Sequence, residues 1–134
     1  MVPAMIEQRL AAFFADRPGE VAAVYLFGSA ARGDAGPSSD LDIGVLFRIP
    51  PERTFAGQSY ALEGALERCF GRDVDLVALN TAPVDLRIRV LREGRLVFES
   101  DRSARIQFEV RARNEAFDLE PILRRYRAAC RVSA

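Results

Sequence analysis

Three carboxylates and one glycine-serine pair have the residue types and spacing to do chemistry in this chain. Asp40 and Asp42 stand two apart at the start of an apolar run ending at Phe47, and Asp75 interrupts a second such run, VDLVAL. Residues i and i+2 of a strand point to the same face, so Asp40 and Asp42 would project side by side. Adjacent carboxylates repel, and a free charge at Asp42, inside an otherwise apolar segment, is expensive. A divalent cation relieves both problems, and hard oxygen donors suit magnesium carrying a bound phosphate. Gly28-Ser29 closes a further apolar run, Val24 to Phe27. A glycine where a strand gives way to a helix lets the backbone approach a ligand closely. The N–H groups that follow form an anion site, to which Ser29 adds a hydroxyl donor. Arg32, one helical turn on, offers a guanidinium fork suited to phosphate oxygens. It could equally be solvated or pair with Asp34 or Asp40.

The elements that must position these groups follow from periodicity and punctuation. Residues 4–15 read as an amphipathic helix, with Met5, Ile6, Leu10, Phe13 and Phe14 apolar and Pro18-Gly19 as its stop. A strand over 21–27, a short helical turn from Gly28-Ser29 through Arg32, a loop over 34–38 and a strand over 41–47 carry the first part of the constellation. A helix over 54–70 follows, with Phe55, Leu62, Leu66 and Phe70 inward, Glu63 and Arg68 outward, and Gly71 as its stop. The strand over 74–79 would bring Asp75 against the aspartate pair. Asp73 competes for that role, but it adjoins the Gly71-Arg72 turn, which favours Asp75. Pro83 opens a helix to about Arg92, residues 95–99 suit a short edge strand, and Asp101 or Ser103 could cap a last helix to Ala129, broken near Pro121. The expectation is an α+β fold, an α/β two-layer arrangement in which a small mixed β-sheet has helices packed against it, as one domain over residues 1–134.

Composition excludes several chemistries. Of the 134 residues, 19 are basic and 19 acidic, so no global field recruits nucleic acid or an anionic membrane. Every basic residue is arginine, and histidine is absent. That removes Ser-His-Asp and Cys-His catalysis, histidine metal sites, a P-loop lysine and Schiff-base chemistry. Cys69 and Cys130 fit neither a zinc spacing nor a disulfide scaffold, and are expected as reduced, buried thiols of a cytoplasmic protein. No signal peptide and no apolar run of membrane length is seen. The remaining arginines, including Arg87, Arg89, Arg92 and Arg95, read as a solvated helix face or a partner-docking surface. Ile122, Leu123 and Tyr126 suit a core or an interface equally.

Taken together, Gly28-Ser29, Arg32-Gly33 and Ser39-Asp40-Leu41-Asp42 resemble the signature of the DNA polymerase β-type nucleotidyltransferase superfamily. The short chain resembles its minimal nucleotidyltransferase (MNT) branch, the antitoxin partners of HEPN-domain toxins. The resemblance covers residues 21–77 closely and the remainder loosely. It implies that Gly28, Ser29, Arg32 and Ser39 hold the triphosphate of ATP. It further implies that Asp40 and Asp42 bind two Mg2+ ions, with Asp75 completing the metal set and accepting the proton of the attacking hydroxyl. AMP would pass to an acceptor hydroxyl, a tyrosine of a HEPN toxin, silencing it. The roughly 55 residues after the third strand are too few for a polymerase's further domains, so the acceptor would come from a partner chain, in a homo- or hetero-oligomer. Two rivals use the same residues differently: a non-catalytic antitoxin that blocks its toxin by binding, and a transferase acting on a small-molecule hydroxyl such as an antibiotic's.

Overall fold

A computed structural model describes residues 3–17, 20–33, 40–48 and 55–132. The order among these residues is α1 (Pro3–Ala15), β1 (Val21–Phe27), α2 (Gly28–Arg32), β2 (Leu41–Phe47), α3 (Phe55–Phe70), β3 (Val74–Ala78), α4 (Val84–Glu93), β4 (Arg95–Glu99) and α5 (Arg102–Val132). The expected stops at Pro18-Gly19 and Pro50-Pro51, the loop over 34–38 and the helix start at Thr54 lie outside the described residues.

The strands form one mixed sheet in the order β3-β2-β1-β4. β1 pairs antiparallel with β2 and with β4, and β2 pairs parallel with β3. All seven residues of β1 are buried, because helices cover both faces of the sheet and leave no polar side for alternation to serve. Ile6, Leu10 and Phe14 of α1 and Leu62, Leu66 and Phe70 of α3 pack with Val24, Leu26, Ile43 and Val45 on one face. Val90 of α4, with Leu86 and Phe108, packs with Tyr25, Phe27 and Leu46 on the other. The sheet is therefore the middle of three layers, where two were expected. Met5, expected to face inward, is instead half exposed, because the buried face of α1 follows the i, i+4, i+8 spacing of Ile6, Leu10 and Phe14.

Two further details position the site. Glu63 and Glu67 of α3 reach over β3: their carboxylates accept the backbone N–H groups of Leu76 at 3.2 Å and Val74 at 3.3 Å. Glu63, expected to point away, thus helps to hold the strand on both sides of Asp75. On the opposite face, α5 is tied to the sheet by a charged network. Tyr25 donates its hydroxyl to Glu109 at 3.2 Å. Arg105 bridges Glu99, at 2.5 Å, and Glu109. Burial and the adjacent Glu109 carboxylate hold the Tyr25 hydroxyl protonated far above the usual tyrosine range. Asp101 caps α5, accepting the Ala104 N–H at 3.0 Å.

The helix then runs unbroken through Pro121 to Val132, so the break expected there is absent. Its proline removes one internal hydrogen bond, a cost of about 3 kcal/mol in a helix interior, but the helix continues on either side. Ile122 and Tyr126 on this last stretch are exposed and belong to no core. Cys69 is free and exposed, against the expectation of a buried thiol, because it lies on the outer face of α3 beside the inward Leu66 and Phe70. The side chain of Cys130 lies outside the described residues.

Candidate active site

The site lies where β1 ends and β2 and β3 begin. Phe27 is the register partner of Asp42, and Asp42 is the register partner of Asp75 on the parallel neighbour. Partners on adjacent strands are about 4.8 Å apart along the hydrogen-bonding direction. Their side chains share one face of the sheet, the face covered by α4 and α5. The expected pairing of Asp42 with Asp75 is thus present in the register. Asp40 lies immediately before β2, exposed, and its charge also acts on Asp42. Asp73 instead lends its backbone carbonyl to the Leu41 N–H at 3.0 Å.

Asp42 carries the electrostatic consequence. Its carboxyl is lifted above the ordinary range, first by burial and then by the Asp75 charge, with Asp40 adding to the rise. Arg89 and, more weakly, Arg32 pull the other way. Like charges are therefore gathered at this point faster than the chain's own cations offset them. Arg89 is the residue that sequence reasoning missed. In LRIRVLRE every arginine fits a solvated helix face, and only the packing of α4 over the sheet turns Arg89 toward Asp42. Glu93 anchors both cations, contacting Arg89 at 3.3 Å and Arg32 at 4.0 Å.

Gly28 completes the floor. Its φ of +71° is a left-handed conformation that side chains rarely adopt. A Cβ there would overlap Asp42 Oδ2 and stand 2.9 Å from Cγ. No other residue type lets β1 turn into α2 while the Asp42 carboxylate lies against the backbone. α2 then begins with no side-chain cap on its first N–H groups, and ends at Gly33, whose φ of 79° closes the turn. Ser29 is half-buried at the start of that helix and Arg32 exposed at its end. Ser39 lies outside the described residues.

The donor set consists of carboxylate oxygens, the chemistry of Mg2+ or Mn2+ and not of zinc or copper. Among the described residues no three acidic or thiol side chains form a ready-made metal cage. Mg2+ does not require one, since it is commonly held by one or two carboxylates, with water and substrate phosphates filling the other positions. The raised Asp42 carboxyl, crowded by two more acids, fits such a cation. No described helix is long and apolar enough to cross a membrane.

Comparison with known proteins follows the same line. Residues 8–103 match the family model of polymerase beta nucleotidyltransferases. No curated protein matches the sequence. A solved structure of a toxin-antitoxin with AMP-PNP superposes with a TM-score of 0.75 at 25% identity, over 96% of this chain and 98% of that one. A tri-AMPylated Shewanella oneidensis HEPN toxin in complex with MNT antitoxin gives a TM-score of 0.72 at 22% identity, over 99% and 100% of the chains. A structure described as a minimal nucleotidyltransferase is 33% identical, with a TM-score of 0.54 over 71% of this chain and 95% of that one. With its mixed sheet, glycine turn and paired aspartates in that frame, the chain belongs to the polymerase β-type nucleotidyltransferase family.

Proposed function

We propose that this chain is a single catalytic domain that transfers AMP from ATP to a tyrosine hydroxyl of a HEPN-domain toxin, and so acts in the cytoplasm as that toxin's antitoxin. The observation that carries the reading is the register pairing of Asp42 with Asp75 beside a glycine whose missing side chain admits the Asp42 carboxylate. The similar structures that hold AMP-PNP or an AMPylated HEPN toxin support the donor and the acceptor class.

Asp40, Asp42 and Asp75 would hold Mg2+, which when bound supplies charge neutralisation on the entering and leaving oxygens of an in-line displacement. Gly28, Ser29 and Ser39 would cradle the triphosphate through backbone N–H and hydroxyl donors. Arg32 and Arg89 flank it with guanidinium groups suited to phosphate oxygens. In the transfer, the acceptor oxygen bonds to the α-phosphorus while the bond to the bridging oxygen breaks, and pyrophosphate leaves. The acceptor's proton passes to a carboxylate of the trio, in this reading Asp75.

The test incubates the protein with labelled ATP, magnesium and the HEPN toxin encoded beside it. Wild type should label the toxin and abolish its activity, and Asp40→Ala/Asp42→Ala should do neither. Absence of label from wild type, with full neutralisation by the double variant, overturns the catalytic reading in favour of blocking by binding alone.

A further inference from the structure

A second site stands at the other end of β2. Asp42 and Phe47 are five residues apart on that strand, about 17 Å along it. There the end of β2, the turn after β3, α4 and α5 enclose a half-open cavity of about 480 Å³, within the range of small-molecule sites. Three guanidinium groups line it, from Arg48, Arg87 and Arg111, against one carboxylate, that of Glu115. Glu115 pairs with Arg87 at 3.2 Å. Among the described residues, Arg48 reaches only the distant Asp101, at 3.9 Å, and Arg111 has no ion pair. Cation is therefore in excess in the cavity wall.

Arg87 also carries an unanswered donor. Its Nε–H is buried and has no hydrogen-bond partner among the described residues, a condition that native structures rarely leave unexplained. The wall behind these cations mixes polar and apolar groups. Asn80 clamps the backbone of Phe47, accepting its N–H at 2.9 Å and donating to its carbonyl at 3.0 Å. Phe108 offers partly exposed apolar surface with Leu79 buried in the core behind it, and Thr81 and Gln107 add exposed neutral polar groups. Arg87 and Arg89 are two residues apart on α4, so they diverge to opposite sides of the helix. One serves this cavity and the other the carboxylate site.

From this juxtaposition we infer a second, non-catalytic ligand site that takes an oxyanion carried on a flat apolar body: the anion meets Arg48, Arg87 and Arg111, and the body lies on the Phe108 ring. Guanidinium forks match both phosphate and carboxylate, so either group could be the natural anion.

The experiment is an amide NMR titration of the full chain, without nucleotide or magnesium, using phenyl phosphate, benzoate, inorganic phosphate and benzyl alcohol as probes. Phenyl phosphate or benzoate should shift the Thr81, Arg87 and Gln107 amides saturably, more tightly than inorganic phosphate or benzyl alcohol, and the tighter of the two identifies the anion. Arg48→Ala/Arg111→Ala, both at exposed positions, should weaken that binding about tenfold or more, and added salt should weaken it further. Arg111→Glu alone should act in the same direction. No saturable shift at these amides, equal affinity in the double variant, or equal binding of inorganic phosphate would each overturn the inference.

Discussion

Two charged clusters stand on the same face of the sheet, and their chemistry differs. Around Tyr25, each group has its complement: Arg105 lies between Glu99 and Glu109, and the tyrosine hydroxyl donates to Glu109. Around Asp42, three acids gather while the cations that act on them, Arg89 and Arg32, are shared with Glu93. The first cluster is complete with protein atoms alone and joins α5 to β1 and β4. The second is left short of positive charge, which folding by itself would not favour. A satisfied network marks architecture, and an unsatisfied one marks the place where something else must bind.

The sharpest way to break this contrast is Asp42→Asn. Transfer to the toxin should fall by about a thousandfold or more, while the metal-free protein should become more stable, as thermal unfolding would show. The pH dependence fixes the sign. Because the Asp42 carboxyl titrates higher in the folded state than in the unfolded chain, its contribution to stability is greatest in acid. That contribution is lost as pH rises through the folded value. The advantage of the variant should therefore grow from about pH 4 towards neutrality, and magnesium at neutral pH should stabilise wild type but not the variant. A melting difference that is flat in pH would place the repulsion elsewhere.

Gly28→Ala comes next. The new methyl must displace the Asp42 carboxylate or unwind the turn, so transfer should drop by about a hundredfold, with a stability loss of about 1–2 kcal/mol. Arg105→Ala should do the reverse, costing about 2 kcal/mol in denaturant unfolding and leaving transfer per folded molecule unchanged. Loss of activity beyond the unfolded fraction would blur the division between the clusters. Arg89→Gln should have the smallest effect. Removing that charge lifts the Asp42 carboxyl further, so the acid limb of the pH–rate profile should move to higher pH and the neutral rate fall about threefold.

Much of the carboxylate site was legible because its signals are local. Two aspartates at strand spacing, an acid inside an apolar run and a glycine at a strand end are each read from a few neighbouring residues. The sheet register then brings Asp42 and Asp75 together without further instruction. What was not legible depends on which way a helix turns over the sheet. Arg87 and Arg89 are alike in LRIRVLRE, yet packing turns them to opposite sides of α4, one towards Glu115 and the other towards Asp42. Glu63 reads as an outer residue of α3 from its helical spacing, and only the packing of α3 beside β3 brings its carboxylate to the Leu76 N–H. Pro121 carried a correct local signal, a proline in a helical run, and the remainder of α5 overrode it.

The carboxylates of Glu63 and Glu67 have an effect beyond holding β3 in place. That strand borders the sheet, and an open border exposes backbone donors to which any stray extended peptide could add itself. With the Val74 and Leu76 N–H groups already occupied, two of the donors that an added strand would need are taken. The acidic site thus lies beside a sheet border whose neighbouring outward donors are already engaged, which disfavours self-assembly into fibres along it.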